Sequence, residues 1–223
     1  MERIAHRGAK REFPENTLAA FQRAFERGAD AIELDVHATR DGVVVVHHDP
    51  KVRLRGRWSR SVSIVDLEWE DLRGARLAPG VGIPTLDDVL TIVPSRATVY
   101  VEIKGTNIEQ TVAAVLARSA VRCAVHSFDH DAVARMREIA PDVPRGILFD
   151  RRPPDVVASM RATGARDVWP ERRLIDADLI ETVHAAGGRI IAWTVNSRAE
   201  AAVLTTLGVD GLCTDDVRLL AAR

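Results

Sequence analysis

Apolar positions along the chain fall into short runs bounded by turn residues. These alternate with longer stretches in which apolar residues recur every three or four positions. The runs have the length of buried strands, and the stretches have the period of helices packed by one face. Strands are expected at 3–6, 31–36, 99–104, 122–126, 145–149, 166–169, 189–194 and 211–214. Helices are expected at 17–27, 108–119, 130–140, 154–163, 176–187 and 199–207, with a last one at 216–222. The first is the best marked: Asn16 offers an N-cap, Gly28 a residue for the left-handed turn beyond the C-terminus, and Leu18, Phe21, Ala24 and Phe25 one apolar face.

Eight strands alternating with helices suit either a (β/α)₈ TIM barrel or an open doubly wound sheet. The polar residues favour the barrel. They recur at strand ends along the whole chain, as a barrel's C-terminal rim requires, rather than gathering at one switch point. A TIM barrel in a single domain, residues 1–223, is therefore expected, with one interruption at about 50–84. There Asp41-Gly42 makes a turn, and Val43 to Val46 make an extra strand that returns along the second one. Arg53, Arg55, Arg57, Arg60, Trp58, Trp69 and Pro79-Gly80 follow, in an excursion with a short helix at 66–73.

Composition narrows the class. The chain has 223 residues, 31 basic and 32 acidic, so it lacks the basic excess of a nucleic-acid binder. Cys123 and Cys213 make neither a disulfide framework nor a metal-binding pair. No apolar run approaches the roughly 18 residues that span a bilayer, so stable membrane insertion is not expected. Charges in Met1 to Arg7 occupy the place of a leader's apolar region, which points to the cytoplasm.

Candidate chemistry begins on the second strand, Ala31-Ile32-Glu33-Leu34-Asp35-Val36. Alternation puts Glu33 and Asp35 on one face and the aliphatic residues on the other. The next strand repeats the pattern with Glu102 and Lys104 against Val101 and Ile103. Three carboxylates together inside a barrel repel and lose hydration unless a cation joins them, and an all-oxygen donor set suits Mg²⁺ or Ca²⁺. His6-Arg7 closes the first strand and His47-His48-Asp49 closes the extra one, where alternation lets one of the two imidazoles face the site. A cation, Arg, Lys and two proton carriers are the tools of phosphoryl-ester hydrolysis. His37, His126, His130 and His184 read as structural, His126 being the one that ends a barrel strand.

The motifs also come in a known order. His6-Arg7-Gly8, Pro14-Glu15-Asn16-Thr17, Glu33-Leu34-Asp35, Thr39-Arg40-Asp41-Gly42 and His48-Asp49 lead. Glu102-Ile103-Lys104, Ser127-Phe128-Asp129, Trp193-Thr194-Val195-Asn196 and Thr214-Asp215 follow. Over nearly its whole length the chain resembles the glycerophosphodiester phosphodiesterase family. The resemblance implies a (β/α)₈ barrel that hydrolyses glycerophosphodiesters to sn-glycerol 3-phosphate and an alcohol. It implies one divalent cation, Mg²⁺ or Ca²⁺, on Glu33, Asp35 and Glu102, with His6 and His48 as the acid/base pair. Arg7 and Lys104 would contact phosphate, and Trp193 would line the substrate pocket. The pattern does not demand histidine at 47 or 126, and Lys51-Val52-Arg53-Leu54-Arg55 departs from it. Three other readings are a lysophospholipase-D-like enzyme for acylated substrates, a Schiff-base enzyme using Lys104 and a non-catalytic phosphate-binding barrel. Against the Schiff base, neighbouring Asp35 and Glu102 should keep Lys104 protonated.

Overall fold

The computed structural model describes residues 1–54, 60–74 and 81–220. In chain order the strands are β1 (Glu2–His6), β2 (Ala31–Ala38), β3 (Val44–Val46), β4 (Lys51–Leu54), β5 (Arg60–Ser63), β6 (Thr98–Ile103), β7 (Arg122–Ser127), β8 (Arg145–Phe149), β9 (Asp167–Pro170), β10 (Arg189–Ala192) and β11 (Gly211–Thr214). The helices are α1 (Leu18–Glu26), α2 (Trp69–Leu72), α3 (Leu86–Ile92), α4 (Glu109–Leu116), α5 (His130–Ile139), α6 (Val156–Thr163), α7 (Ala177–Ala185) and α8 (Arg198–Leu207). Strands β1, β2 and β6 to β11 pair in parallel, and β1 pairs with both β2 and β11. The sheet is thereby closed into an eight-stranded TIM barrel, as the alternating pattern predicts.

Alternation along each strand divides the apolar residues between two cores. Outward-facing Ile32, Leu34 and Val36 of β2, with Val99, Val101 and Ile103 of β6, pack against Leu86, Val89, Val112 and Met136 of the helical shell. Across the barrel, Ile147, Val168, Ile190 and Leu212 meet Leu179, Val183 and Leu204. Inside, Ile4, Ala31, Tyr100, Ala124, Leu148, Trp169, Ile191 and Cys213 fill a layer across the bore. A Cβ at Gly146 would lie 2.9 Å from Trp169 Nε1, so glycine makes room for the indole. Toward the N-terminal end, Glu2 accepts from the Tyr100 hydroxyl at 2.7 Å and from Arg189 at 2.8 Å. This ionic floor and the layer above it leave only the C-terminal mouth open for chemistry.

Three local readings change. Thr17, not Asn16, is the N-cap of α1, its hydroxyl accepting from Ala20 N at 3.2 Å. Gly28 does follow the helix with φ 85°, and Ala29 N donates back to Ala24 O at 3.0 Å. Helix α3 is additional to the expected set, although its start carries a capping box: Thr85 and Asp88 exchange side-chain to backbone hydrogen bonds, both at 3.0 Å. The expected helix at 216–222 is a single 3₁₀ turn over Val217–Leu220, with 221–223 outside the described residues.

The extra strand forms as expected, with β3 antiparallel to β2 through Val36↔Val46 and His37↔Val45. The excursion then folds as a β4–β5 hairpin, a 3₁₀ turn and the short helix α2. Val45, Val52, Ile64, Leu67, Leu72 and Ile83 give it a small core of its own. Arg55, Arg57, Trp58, Pro79 and Gly80 lie outside the described residues. No helix among the described residues is long and apolar enough to cross a membrane.

The β1–α1 turn is the tightest constraint near the mouth. Gly8 has φ 81°, and a Cβ there would lie 2.7 Å from the Ala20 carbonyl carbon. Left-handed strain and a backbone clash together predict that Gly8→Ala lowers stability by about 1–3 kcal/mol. Urea unfolding measures it, and an unchanged midpoint would mean that α1 is not held against this turn.

Candidate active site

Strand register assembles the site. His6 pairs with Glu33 across β1 and β2, Asp35 with Glu102 across β2 and β6, and Glu102 with His126 across β6 and β7. Because interior residues alternate, all these side chains project into the same mouth, above the layer of Tyr100 and Trp169. Hairpin β2–β3 turns the chain back so that His47 N donates to Asp35 O at 3.0 Å, bringing His48 to the rim. The result is an open cavity at the mouth of the barrel. His6, Arg7, Glu33, His48, Glu102 and Lys104 line its polar side, and Phe128, Trp169 and Trp193 its aromatic side.

Asp35 is fully buried and held by several donors. Asn16 Nδ2 donates to its Oδ2 at 2.8 Å, Arg7 Nε lies 3.1 Å from the same oxygen, and Lys104 Nζ lies 3.6 Å from Oδ1. Burial alone would raise its pKa, but Arg7, Asn16 and Lys104 outweigh burial and hold it below the usual carboxylate range. Glu33 and Glu102 are less well compensated. Burial, then repulsion from Asp35, pushes each to about 7. Glu33 accepts from Arg7 N at 3.1 Å, and Glu102 accepts from Lys104 Nζ at 3.0 Å. Asp35 Oδ1 is buried with no hydrogen-bond partner among the described residues.

Each imidazole has a carboxylate behind it. His6 Nδ1 lies 2.7 Å from Asp215 Oδ1, and its Nε2 lies 3.9 Å from Glu33. Asp215 also meets Lys10 Nζ at 2.9 Å and accepts from Asn196 Nδ2 at 2.8 Å. Burial acts upward on Asp215, but the bonds from His6 and Lys10 carry it well below the usual range, so it stays ionised. An ionised Asp215 orients His6 with Nδ1–H donating and Nε2 free toward the cavity. His48 Nδ1 is 2.8 Å from Asp49 Oδ1, and His37 Nε2 donates to the His48 carbonyl at 3.2 Å.

All eight site residues expected from the sequence gather here. His6, His48, Arg7, Lys104, Trp193, Glu33 and Glu102 line the cavity, and Asp35 lies beneath Arg7 and Lys104. Trp193 lies just past β10, which ends at Ala192 rather than 194; its indole donates to Trp169 O at 2.9 Å and meets the Phe128 ring edge-on at 5.4 Å. Sequence reasoning overlooked Asn16 as a partner of Asp35 and Asp215 as a partner of His6, since both contacts join distant parts of the chain. It also set His126 aside as structural, yet His126 lines the cavity and its ligand atoms group with those of Glu33 and Glu102 within 4.8 Å. The signal was available: His126 follows Ala124 on the inward face, the same alternation that singles out Glu33 and Glu102.

Comparison with known proteins places this barrel in a family. The profile of the glycerophosphoryl diester phosphodiesterase family matches residues 6–219. The glycerophosphodiester phosphodiesterase of Caldanaerobacter subterraneus subsp. tengcongensis is 32% identical over 234 residues, covering 97% of this chain and 95% of that one. The crystal structure of glycerophosphodiester phosphodiesterase from Agrobacterium tumefaciens str. C58 matches with a TM-score of 0.86 at 26% identity, over 100% of both chains. The fold is shared by an Oleispira antarctica phosphodiesterase in complex with the product sn-glycerol-3-phosphate, with a TM-score of 0.89 at 22% identity, over 98% of this chain and 94% of that one. The chain belongs to the glycerophosphoryl diester phosphodiesterase family and is a phosphoric diester hydrolase.

Proposed function

We propose that this chain hydrolyses glycerophosphodiesters to sn-glycerol 3-phosphate and an alcohol, with His6 and His48 as its acid/base pair and one divalent cation on Glu33, Asp35 and Glu102. The observation that carries the reading is the meeting of two imidazoles, Arg7 and Lys104 with Glu33 and Glu102 in one cavity, with Asp35 directly beneath. The donor set fits a cation: Asp35 Oδ1 is buried without a hydrogen-bond partner among the described residues, and burial and repulsion from Asp35 push Glu33 and Glu102 above the usual carboxylate range. Three carboxylates by themselves suit Mg²⁺ or Ca²⁺. Such a cation would offset charge on the phosphoryl oxygens as the ester bond breaks.

The chain's own groups account for the remaining work. Arg7 offers its guanidinium and Lys104 its ammonium to the phosphate oxygens. One imidazole takes the proton of the attacking hydroxyl, and the other returns a proton to the departing alkoxide. The hydroxyl belongs to water or to the substrate's own glycerol 2-position; in the second case a cyclic phosphate forms first and water opens it. Both routes consume one water and yield the same products. Trp193 and Phe128 give the glycerol carbons and the leaving group an apolar wall. Lys104 is an ion-pair partner of Glu102 and Asp35, an arrangement that supports phosphate contact over the Schiff-base alternative.

Release of glycerol 3-phosphate from glycerophosphocholine and glycerophosphoethanolamine tests the reading directly. EDTA-treated protein should be inactive, recover with an added divalent ion, and fail to recover as Glu102→Gln. His6→Ala and His48→Ala should each lower kcat by about 10²–10⁴-fold with the melting temperature retained. Normal turnover in either variant would remove that histidine from the pair.

A second test uses the carboxylates that titrate near neutrality. Below about pH 7 Glu33 and Glu102 carry protons in the cation-free chain, so a cation must displace them; above it they are already ionised. Calorimetry in buffers of different ionisation enthalpy should show proton release at pH 6 that fades by pH 8.5. Release that does not change with pH would place the cation elsewhere.

A further inference from the structure

Deeper in the bore than the acid/base pair sits an imidazole that this mechanism does not use. His126 is 1% exposed, and neither of its ring nitrogens has a hydrogen-bond partner among the described residues. A buried imidazole left in that state forfeits at least one hydrogen bond that water would supply. Its ring plane is set by Trp169, edge-on at 4.3 Å between centroids, and by Tyr100, parallel within 9° at 6.3 Å. Packing therefore aims the ring rather than leaving it to seek a partner.

It is aimed at the carboxylates. His126 Nε2 lies 3.8 Å from Glu33 Oε1, beyond hydrogen-bond reach. Ligands held at about 2.1 Å from one ion stand roughly 3–4.2 Å apart, so that gap suits two ligands of a shared ion. Glu102 completes the group, its ligand atom lying within 4.8 Å of both others. His6 stands outside that group, its Nε2 3.9 Å from the other oxygen of Glu33 and its Nδ1 2.7 Å from Asp215.

We infer that His126 is a nitrogen ligand of the cation held by Glu33 and Glu102, and that it tunes this site toward borderline ions such as Mn²⁺, Co²⁺ and Zn²⁺ over Mg²⁺ and Ca²⁺. The inference rests on the cation reading of the same site proposed above. Imidazole favours the first-row transition ions and adds little for hard ions that prefer oxygen. Three carboxylates alone would rank the ions by charge and size, whereas one added nitrogen separates the two classes.

Direct binding tests it without recourse to activity. EDTA-dialysed full-length protein is titrated with Co²⁺ and with Mg²⁺ by calorimetry or chelator competition, as wild type, His126→Ala, His126→Asn and Glu102→Gln. Wild type should bind Co²⁺ more tightly than Mg²⁺. His126→Asn should weaken Co²⁺ by about 10-fold or more and Mg²⁺ by less than about 3-fold, with His126→Ala agreeing if its melting curve is intact. An unchanged Co²⁺ to Mg²⁺ ratio in folded His126→Asn overturns the inference. So does the absence of nitrogen coupling in the electron paramagnetic resonance spectrum of Cu²⁺-loaded wild type, a readout that needs no variant to fold. The two proposals fail differently. If no ion binds wild type, the cation reading itself falls and this one with it. If ions bind and Glu102→Gln abolishes binding while the ratio ignores His126, only the role of His126 falls.

Discussion

Side by side in the bore of the barrel stand Glu33, Asp35 and Glu102, and the rest of the mouth is arranged around keeping them there. Strand pairing leaves no choice, because Asp35 and Glu102 share one register position on adjacent parallel strands. Two like charges about 4 Å apart repel by on the order of 4 kcal/mol even at an intermediate effective dielectric. Arg7 and Asn16 from the β1–α1 turn and Lys104 from the end of β6 answer that repulsion for Asp35. For Glu33 and Glu102 the answer is incomplete, so their affinity for protons is raised. A site with too little positive charge of its own is the chemical setting for the cation proposed there.

The lower barrel has a complementary task. Tyr100, Trp169, Ile4 and Ile191 close the bore beneath the carboxylates and keep water from reaching them from below. The floor network of Glu2, Arg189 and Tyr100 is balanced by its own partners. Polar groups thus occupy both ends of the bore, and among the described residues the upper set is the one left short of donors. That asymmetry separates the candidate site from a structural floor built of the same residue types.

How much of this could be read from the chain varies with the range of the interaction. The eight barrel strands were legible because each is a short apolar run with its own period. The inward carboxylates were legible because alternation within one strand assigns a face. Helix α3 escaped notice although Thr85 and Asp88 mark its start, since it follows an excursion without regular period. Asn16 was readable as a polar residue before a helix but not as the donor to Asp35, because the two meet only when the β1–α1 turn folds over the mouth. Alternation on β7 turns His126 inward, but only the register across β2, β6 and β7 shows that Glu33 and Glu102 lie beside it.

Short-range period and composition were enough to read the fold class, the inward faces of β2 and β6 and the residue types available for chemistry. Tertiary structure alone decided which donors satisfy Asp35, that Asp215 stands behind His6, and that His126 lies with Glu33 and Glu102. Those contacts depend on barrel closure, where strand register sets which side chains share a level. Residues 209 positions apart, such as His6 and Asp215, become neighbours only because β11 returns to pair with β1. Periodicity records how one strand faces the core; only the closed sheet determines which faces meet.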